Sequence, residues 1–165
     1  MSYVCSCCGQ THEDLPDLAF DKPAYAHDVP EKQRAERVRI DDDFCVVDEQ
    51  HYFIRGLIEI PLQGQTETFG IGAWVSQKPE NFWTYVEHFD SAEIGPFFGW
   101  LSNDFTFGGV STLHLKTMVH FQGKGLRPKI ELEPTDHPLA MAQQAGLSLG
   151  EAWSFVHEYL DPSAP

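Results

Sequence analysis

The chain is short of positive charge. Its 165 residues carry 11 Lys+Arg against 25 Asp+Glu, a formal net charge of −14. That balance argues against nucleic acid as a partner, because a phosphate backbone selects for Lys and Arg. It argues equally against an anionic membrane surface. Long apolar runs are lacking too: the stretch from Ile54 to Leu62 is broken by Arg55 and Glu59, and no segment reads as a bilayer span. The start, Met1-Ser2-Tyr3-Val4-Cys5, has no basic stretch leading into an apolar one, so no secretory signal is expected. The expectation is a cytoplasmic protein in a reducing compartment. Catalytic signatures are missing as well. There is no Gly-x-Ser-x-Gly elbow, no Gly-x-x-x-x-Gly-Lys phosphate loop and no His-Glu-x-x-His pair, and Gly70-x-Gly72 lacks the third glycine of a dinucleotide loop.

Cysteine is scarce but clustered. Cys5, Cys7 and Cys8 fall within four residues and Cys45 stands apart, a poor layout for a disulfide framework. Cys5-x-x-Cys8-Gly9 has the spacing at which two thiolates chelate one tetrahedral ion, and the glycine permits the tight turn such a knuckle needs. His12 offers a nitrogen and Cys45 a third sulfur, so Cys5, Cys8, His12 and Cys45 are expected to form a structural zinc site; Cys7 is left out. Two readings stay open beside it: idle reduced thiols, and a redox pair. The redox pair fits less well, because only four residues precede Cys5 and a thioredoxin-type motif follows a strand.

Apolar content of 42% and aromatic content of 13% argue against disorder. A chain of this size buries about 70% of its extended surface, enough for one core. We expect a single domain over residues 1–165, with a Cys-rich head over 1–20 and a frayed tail over 161–165. Pro30 opens a short helix through Arg37, and Asp41-Asp42-Asp43 is a charged turn. Phe44–Val47 and Tyr52–Ile60 read as strands joined by a hairpin at Asp48-Glu49-Gln50, with a third strand over Phe69–Ser76. Pro79 starts a helix whose apolar face is Phe82, Tyr85, Val86 and Phe89, and Glu93–Leu101 is expected to be a second, shorter one. Thr112–Phe121 alternates with period two and Pro128–Leu132 returns beside it. Asp136 caps a helix through Gln144, and Ser148 with Glu151 forms a capping box for the last one. The fold class expected is α+β: a mainly antiparallel sheet of about five strands with helices on one face, and a zinc-knuckle-like head.

Hairpin pairing would gather His51, Arg55, Glu59, His114, Lys116, His120, Arg127, Lys129 and Glu131 on one sheet face. Cross-strand charge pairs on a solvated surface explain such a set at about 0.2–1 kcal/mol each. A ligand site explains it too: Arg55 inside a hydrophobic strand, paired by Glu59 or Glu131, beside Lys116 and His120, with Trp74 and Trp100 as walls, suits a small anionic ligand. Asp136-His137 reads better as a helix start than as an acid–base pair.

Several stretches together resemble a known family. They are Cys5-x-x-Cys8-Gly9-x-x-His12, Phe53-Ile54-Arg55-Gly56, Glu59-Ile60-Pro61, Trp74-Val75-Ser76, Phe98-Gly99-Trp100-Leu101-Ser102-Asn103, Leu115-Lys116-Thr117, and the long block from Arg127 to Ala140. The pattern resembles the bacterial family called domain of unknown function 2199 along nearly the whole chain. The resemblance implies a small bacterial cytoplasmic protein and no assigned activity.

The leading expectation is thus a non-enzymatic, zinc-stapled binding or regulatory protein with a basic protein partner, for instance an immunity-like protein that neutralises a basic toxin. The alternative is an enzyme for a small anionic substrate, binding it through Arg55 and Lys116 and moving protons through His120 or Glu131. A third reading is a subunit of a larger assembly, docked through Phe97, Phe98 and Trp100.

Overall fold

A computed structural model describes residues 3–4, 9–12 and 14–160. The cysteines of the head, Cys5, Cys7 and Cys8, and the tail over 161–165 lie outside them. Among the described residues seventeen elements follow one another, beginning with an antiparallel pair of Tyr3–Val4 (β1) and Thr11–His12 (β2).

The fold grows from one hairpin and one long pair. Phe44–Val47 (β5) and His51–Pro61 (β6) are β-branched and aromatic and pair antiparallel, Cys45 opposite Phe53. Asp48 and Glu49 turn the chain with φ of 54° and 56°, left-handed values that Asp tolerates better than most residues. Next, β6 runs antiparallel to Thr68–Gln77 (β7) from Tyr52 opposite Gln77 to Pro61 opposite Thr68. Each long strand then divides its remaining edge between two partners. Along β6 these are β5 near its start and Lys129–Leu132 (β12), parallel, at Leu57. Along β7 they are Leu18–Ala19 (β3), parallel, at Ile71 and Gly72, and further on a bridge between Val75 and Leu101. Lys116–His120 (β11) and Phe97–Trp100 (β8) extend β12 antiparallel, and Val38–Ile40 (β4) extends β5.

The order is β3-β7-β6-β12-β11-β8, eight strands in all with β4 and β5. Because Leu101 bridges back to Val75 and the Ser102 amide donates to the Trp74 carbonyl at 2.8 Å, the sheet curls until β8 meets β7. A separate hairpin, Thr106–Phe107 (β9) and Val110–Ser111 (β10), turns at Gly108-Gly109.

Alternation along the strands sorts the side chains. Ile54, Ile58, Ile60, Phe69, Ile71, Val75, Val119, Ile130 and Leu132 face the concave side. Three helices close that side: Pro79–Glu87 (α3) through Phe82 and Tyr85, Pro138–Ala145 (α4) through Leu139 and Ala142, and Leu149–Leu160 (α5) through Ala152, Trp153, Phe155 and Val156. The residues between them, Cys45, Val47, Phe53 and Trp74, face the convex side, where Ala26 of Ala24–His27 (α1) and Val29 cover them. Glu31–Arg37 (α2) starts after Pro30, as its sequence suggests. The capping box of α5 forms: the Glu151 amide donates to Ser148 Oγ at 3.1 Å and the Ser148 amide to Glu151 Oε1 at 3.2 Å.

The α+β class and the sheet-dominated core hold, and five details change. The helices do not keep to one face: α3, α4 and α5 fill the concave side, and α1 covers Phe53 and Trp74 on the convex side, where those large residues need burial too. The sheet has eight strands, not five, and includes two parallel pairs, because short strands with no pattern of their own add to the edges of β5, β6 and β7. The helix expected over Glu93–Leu101 is strand β8; Gly95-Pro96 leaves no room for a helix, and the rest alternates across the sheet against β11. The strand expected from Thr112 begins only at Lys116, because His114 takes φ of 67°. His137, not Asp136, caps α4, its Nδ1 accepting from the Leu139 amide at 3.0 Å.

The curl predicts one sensitive position. A Cβ on Gly99 of β8 would run into the Ser76 carbonyl and the Val75 side chain. Backbone cannot give way as a side chain can, so Gly99→Ala is expected to cost about 2–3 kcal/mol in urea unfolding, far more than a change at an exposed surface position.

Candidate functional site

The head meets the last helix through histidine. Strand β2 carries His12, and Gly9 before it takes φ of 73°, with no atom of the described residues near the place a Cβ would take. On α5, Trp153 and His157 stand four residues apart, one turn along the same side. The His12 ring stacks on Trp153 with centroids 4.0 Å apart and planes 18° from parallel. Its Nε2 lies 3.1 Å from Nε2 of His157. Trp153 belongs to the core, so the stack fixes the His12 ring against a rigid surface. Among the described residues no group of three His, Cys, Asp or Glu could hold an ion.

Cys45 is not brought to this pair. It is wholly buried among Val47, Phe53, Trp74, Ala26 and Val29 on the convex side, whereas His12 packs on a helix of the concave side. Burial, with Asp41 adding to it, pushes the Cys45 thiol up to about 12. His157 is the residue that sequence reading passed over. The available signal was its spacing of four from Trp153.

The polar face divides into three places. Arg55 lies over the Trp74 ring, 5.6 Å from its centroid, and Nη1 reaches the Asp42 carbonyl at 3.5 Å. Its Nε is buried without a hydrogen-bond partner among the described residues. Burial lowers the Arg55 pKa, Arg127 adds to this, and Asp42, Asp43 and Asp21 oppose it. Neither Glu59 nor Glu131 is its partner: Glu59 pairs with Lys129 at 3.5 Å and Glu131 with His120 at 3.4 Å. Trp74 is fully buried, its Nε1 donating to the Phe20 carbonyl at 3.0 Å, so it walls no open pocket.

The structure does bring Glu59, His120 and Glu131 together. With Lys129 and Leu57 they line a shallow hollow of 340 Å³ where β6, β12 and β11 adjoin. Lys116 and Trp100 sit opposite each other beyond it, on β11 and β8. The register separates the two expected anion-binding cations. Lys129 stands opposite Leu57, and the Lys116 carbonyl accepts from the Glu133 amide. Arg55 and Lys116 are therefore six strand positions apart in level, roughly 20 Å.

A second concavity escaped the sequence reading. Phe44, Val46, Tyr52, Phe82, Trp83 and Val86 line a groove of 630 Å³ between α3 and the β4–β5–β6 edge. Trp83 is half exposed there. Its place off the buried stripe of α3 was the signal, since a large aromatic outside the apolar face has no core to fill. Arg37 and Asp48 close one rim with Nε–Oδ1 of 2.7 Å and Nη2–Oδ2 of 2.9 Å. The Arg37 hydrogen bonds hold the Asp48 carboxyl below the usual aspartate range.

A curled, mainly antiparallel sheet with three helices in its concavity defines the protein as α+β. The chain matches, over residues 4–147, the family model described as an uncharacterized protein conserved in bacteria (DUF2199), and it belongs to that family. No match was found among curated proteins or among solved structures. No helix among the described residues is long and apolar enough to cross a membrane.

Two outcomes follow from these environments. Cys45 is expected to resist alkylation in the folded protein into mildly alkaline pH and to react on denaturation; mass spectrometry of native and denatured samples reads both. Asp48→Asn is expected to lower Tm at neutral pH, since a carboxylate with a depressed pKa stabilises the fold only while it is ionised. The deficit should shrink as pH falls through the depressed pKa of Asp48, and Asn keeps the left-handed backbone tolerable, so the charge alone is tested.

Proposed function

We propose that the protein is a binding protein, its N-terminal head stapled by zinc through Cys5, Cys8 and His12, that takes a basic protein partner on the convex face of β8, β11 and β12. The observation that carries this reading is the aromatic pair on that face. Phe98 and Trp100 are 41% and 42% exposed and pack edge to face with centroids 5.1 Å apart. Met118 stands beside Phe98 and Lys116 beside Trp100 on the neighbouring strand, Glu131 and His120 lie on the side away from β8, and Lys129 beyond them is paired by Glu59. An apolar centre with a charged rim is the composition of a protein-docking patch, and tryptophan is prominent among the residues that dominate binding energy. The net charge of −14 draws a basic partner from a distance and speeds the encounter. An immunity-like role against a basic toxin is one form this takes. Turnover of a small anion is less well supported, because Arg55 and Lys116 stand at opposite ends of the face.

The test uses a photo-crosslinking residue at position 98 in native cells, followed by affinity measurements with the captured protein. A basic partner is expected, with binding that weakens as salt rises. Trp100→Ala should weaken it about tenfold or more and leave Tm nearly unchanged. Crosslinks only between copies of this chain, or binding indifferent to both salt and Trp100→Ala, would overturn the proposal.

A further inference from the structure

We infer that His157 completes a zinc site with Cys5, Cys8 and His12, so that one ion ties the N-terminal head to the last helix. The inference rests on the zinc reading of the head proposed above and names its fourth ligand. Zn–N bonds of about 2.0–2.1 Å at the tetrahedral angle set two ligand nitrogens roughly 3.3 Å apart. The Nε2 atoms of His12 and His157 are 3.1 Å apart, with Trp153 stacked on one ring and one helical turn from the other.

A hydrogen bond between two imidazoles has the same spacing. The metal differs in needing both nitrogens as lone-pair donors and in needing two donors more. The sequence of the same head offers two thiols, Cys5 and Cys8. Cys5 is the residue after Val4, Val4 pairs with Thr11, and Cys8 precedes the left-handed Gly9. A set of two thiolates and two imidazoles suits zinc, and four protein ligands leave no open position, so the ion is structural. The pairing spans 145 residues of chain. His157 lies beyond the stretch matched by the family model, so geometry alone assigns it.

The test is made on the full chain. X-ray absorption of the zinc-loaded protein is expected to show two sulfur and two nitrogen ligands; three sulfurs, the set that Cys45 would complete, overturn the assignment. In the cobalt-loaded protein, His157→Ala should abolish the tetrahedral visible bands and weaken metal binding by more than ~100-fold, since even residues behind the ligands cost 10–100-fold. Cys45→Ser should change neither reading. His157→Cys should restore tetrahedral bands with a stronger thiolate charge-transfer band. If His157→Ala does not fold, the absorption spectrum of the parent and His157→Cys decide between the outcomes. His157→Ala protein that binds cobalt as tightly as the parent, with the same bands, overturns the role of His157 and leaves the zinc reading of the head standing. A parent protein that takes up neither zinc nor cobalt overturns both.

Discussion

The long antiparallel pairing of β6 with β7 is the constraint on which the rest of the molecule depends. Both strands outrun their other partners, so each has edge to spare on its outer side. That spare edge is divided: β5 and β12 share one, β3 and the Leu101 bridge share the other. Sharing is what curls the sheet, because partners that take different halves of one edge diverge with the strand twist. Gly56, Gly70 and Gly72 let neighbouring chains come close along the pair; a Cβ at Gly56 would meet the Ile130 side chain at 2.8 Å. Loss of this register would dissolve the concave core and the convex cluster together, since alternate residues of the same two strands supply both.

The curl decides what the helices do. A flat sheet of this size would need a helix layer on each face; a curled one needs its hollow filled. Phe82 and Tyr85, Leu139 and Ala142, and the Trp153–Phe155–Val156 group fill it from three helices. Helix α5 contributes four buried residues to it, Ala152, Trp153, Phe155 and Val156. Its N-terminus is held by the Ser148–Glu151 box, and its C-terminal half meets His12 of the head through Trp153 and His157. Strand β2 and helix α5 therefore support each other.

The sequence was legible where local pattern and tertiary demand agreed. The β5–β6 hairpin, β7, α2, α3 and the capped α5 all declare themselves through alternation, helical spacing or capping residues. Strand β8 did not, because Phe97-Phe98-Gly99-Trp100 is short and its register is imposed from outside, by β11 and by Ser76 and Gln77, whose side chains bond its backbone. Nor could sequence say which tryptophan is core: Trp74 and Trp100 each follow a small residue within a strand, yet one is sealed under Phe20 and α1 and the other is open. Cys45 illustrates the same limit. Its parity with Phe53 and Val47 was readable, and parity alone puts it on the convex side; that the head packs against a concave-side helix is tertiary information.

The two faces now carry different burdens. On the concave side the buried side chains serve packing, and substituting them reports stability before anything else. On the convex side the α1 segment covers only the part over Trp74, leaving β8, β11 and β12 with alternating aromatic and charged residues. The polar pairs there are exposed, Glu131 at 66% and Lys129 at 50% of their side-chain surface, so they stabilise the fold little. Phe98 and Trp100 contribute less to folding than the same rings would inside, because folding leaves about two-fifths of each in water. Residues that stabilise the folded chain so weakly, on the face the helices leave uncovered, are those a partner can use without disturbing the core.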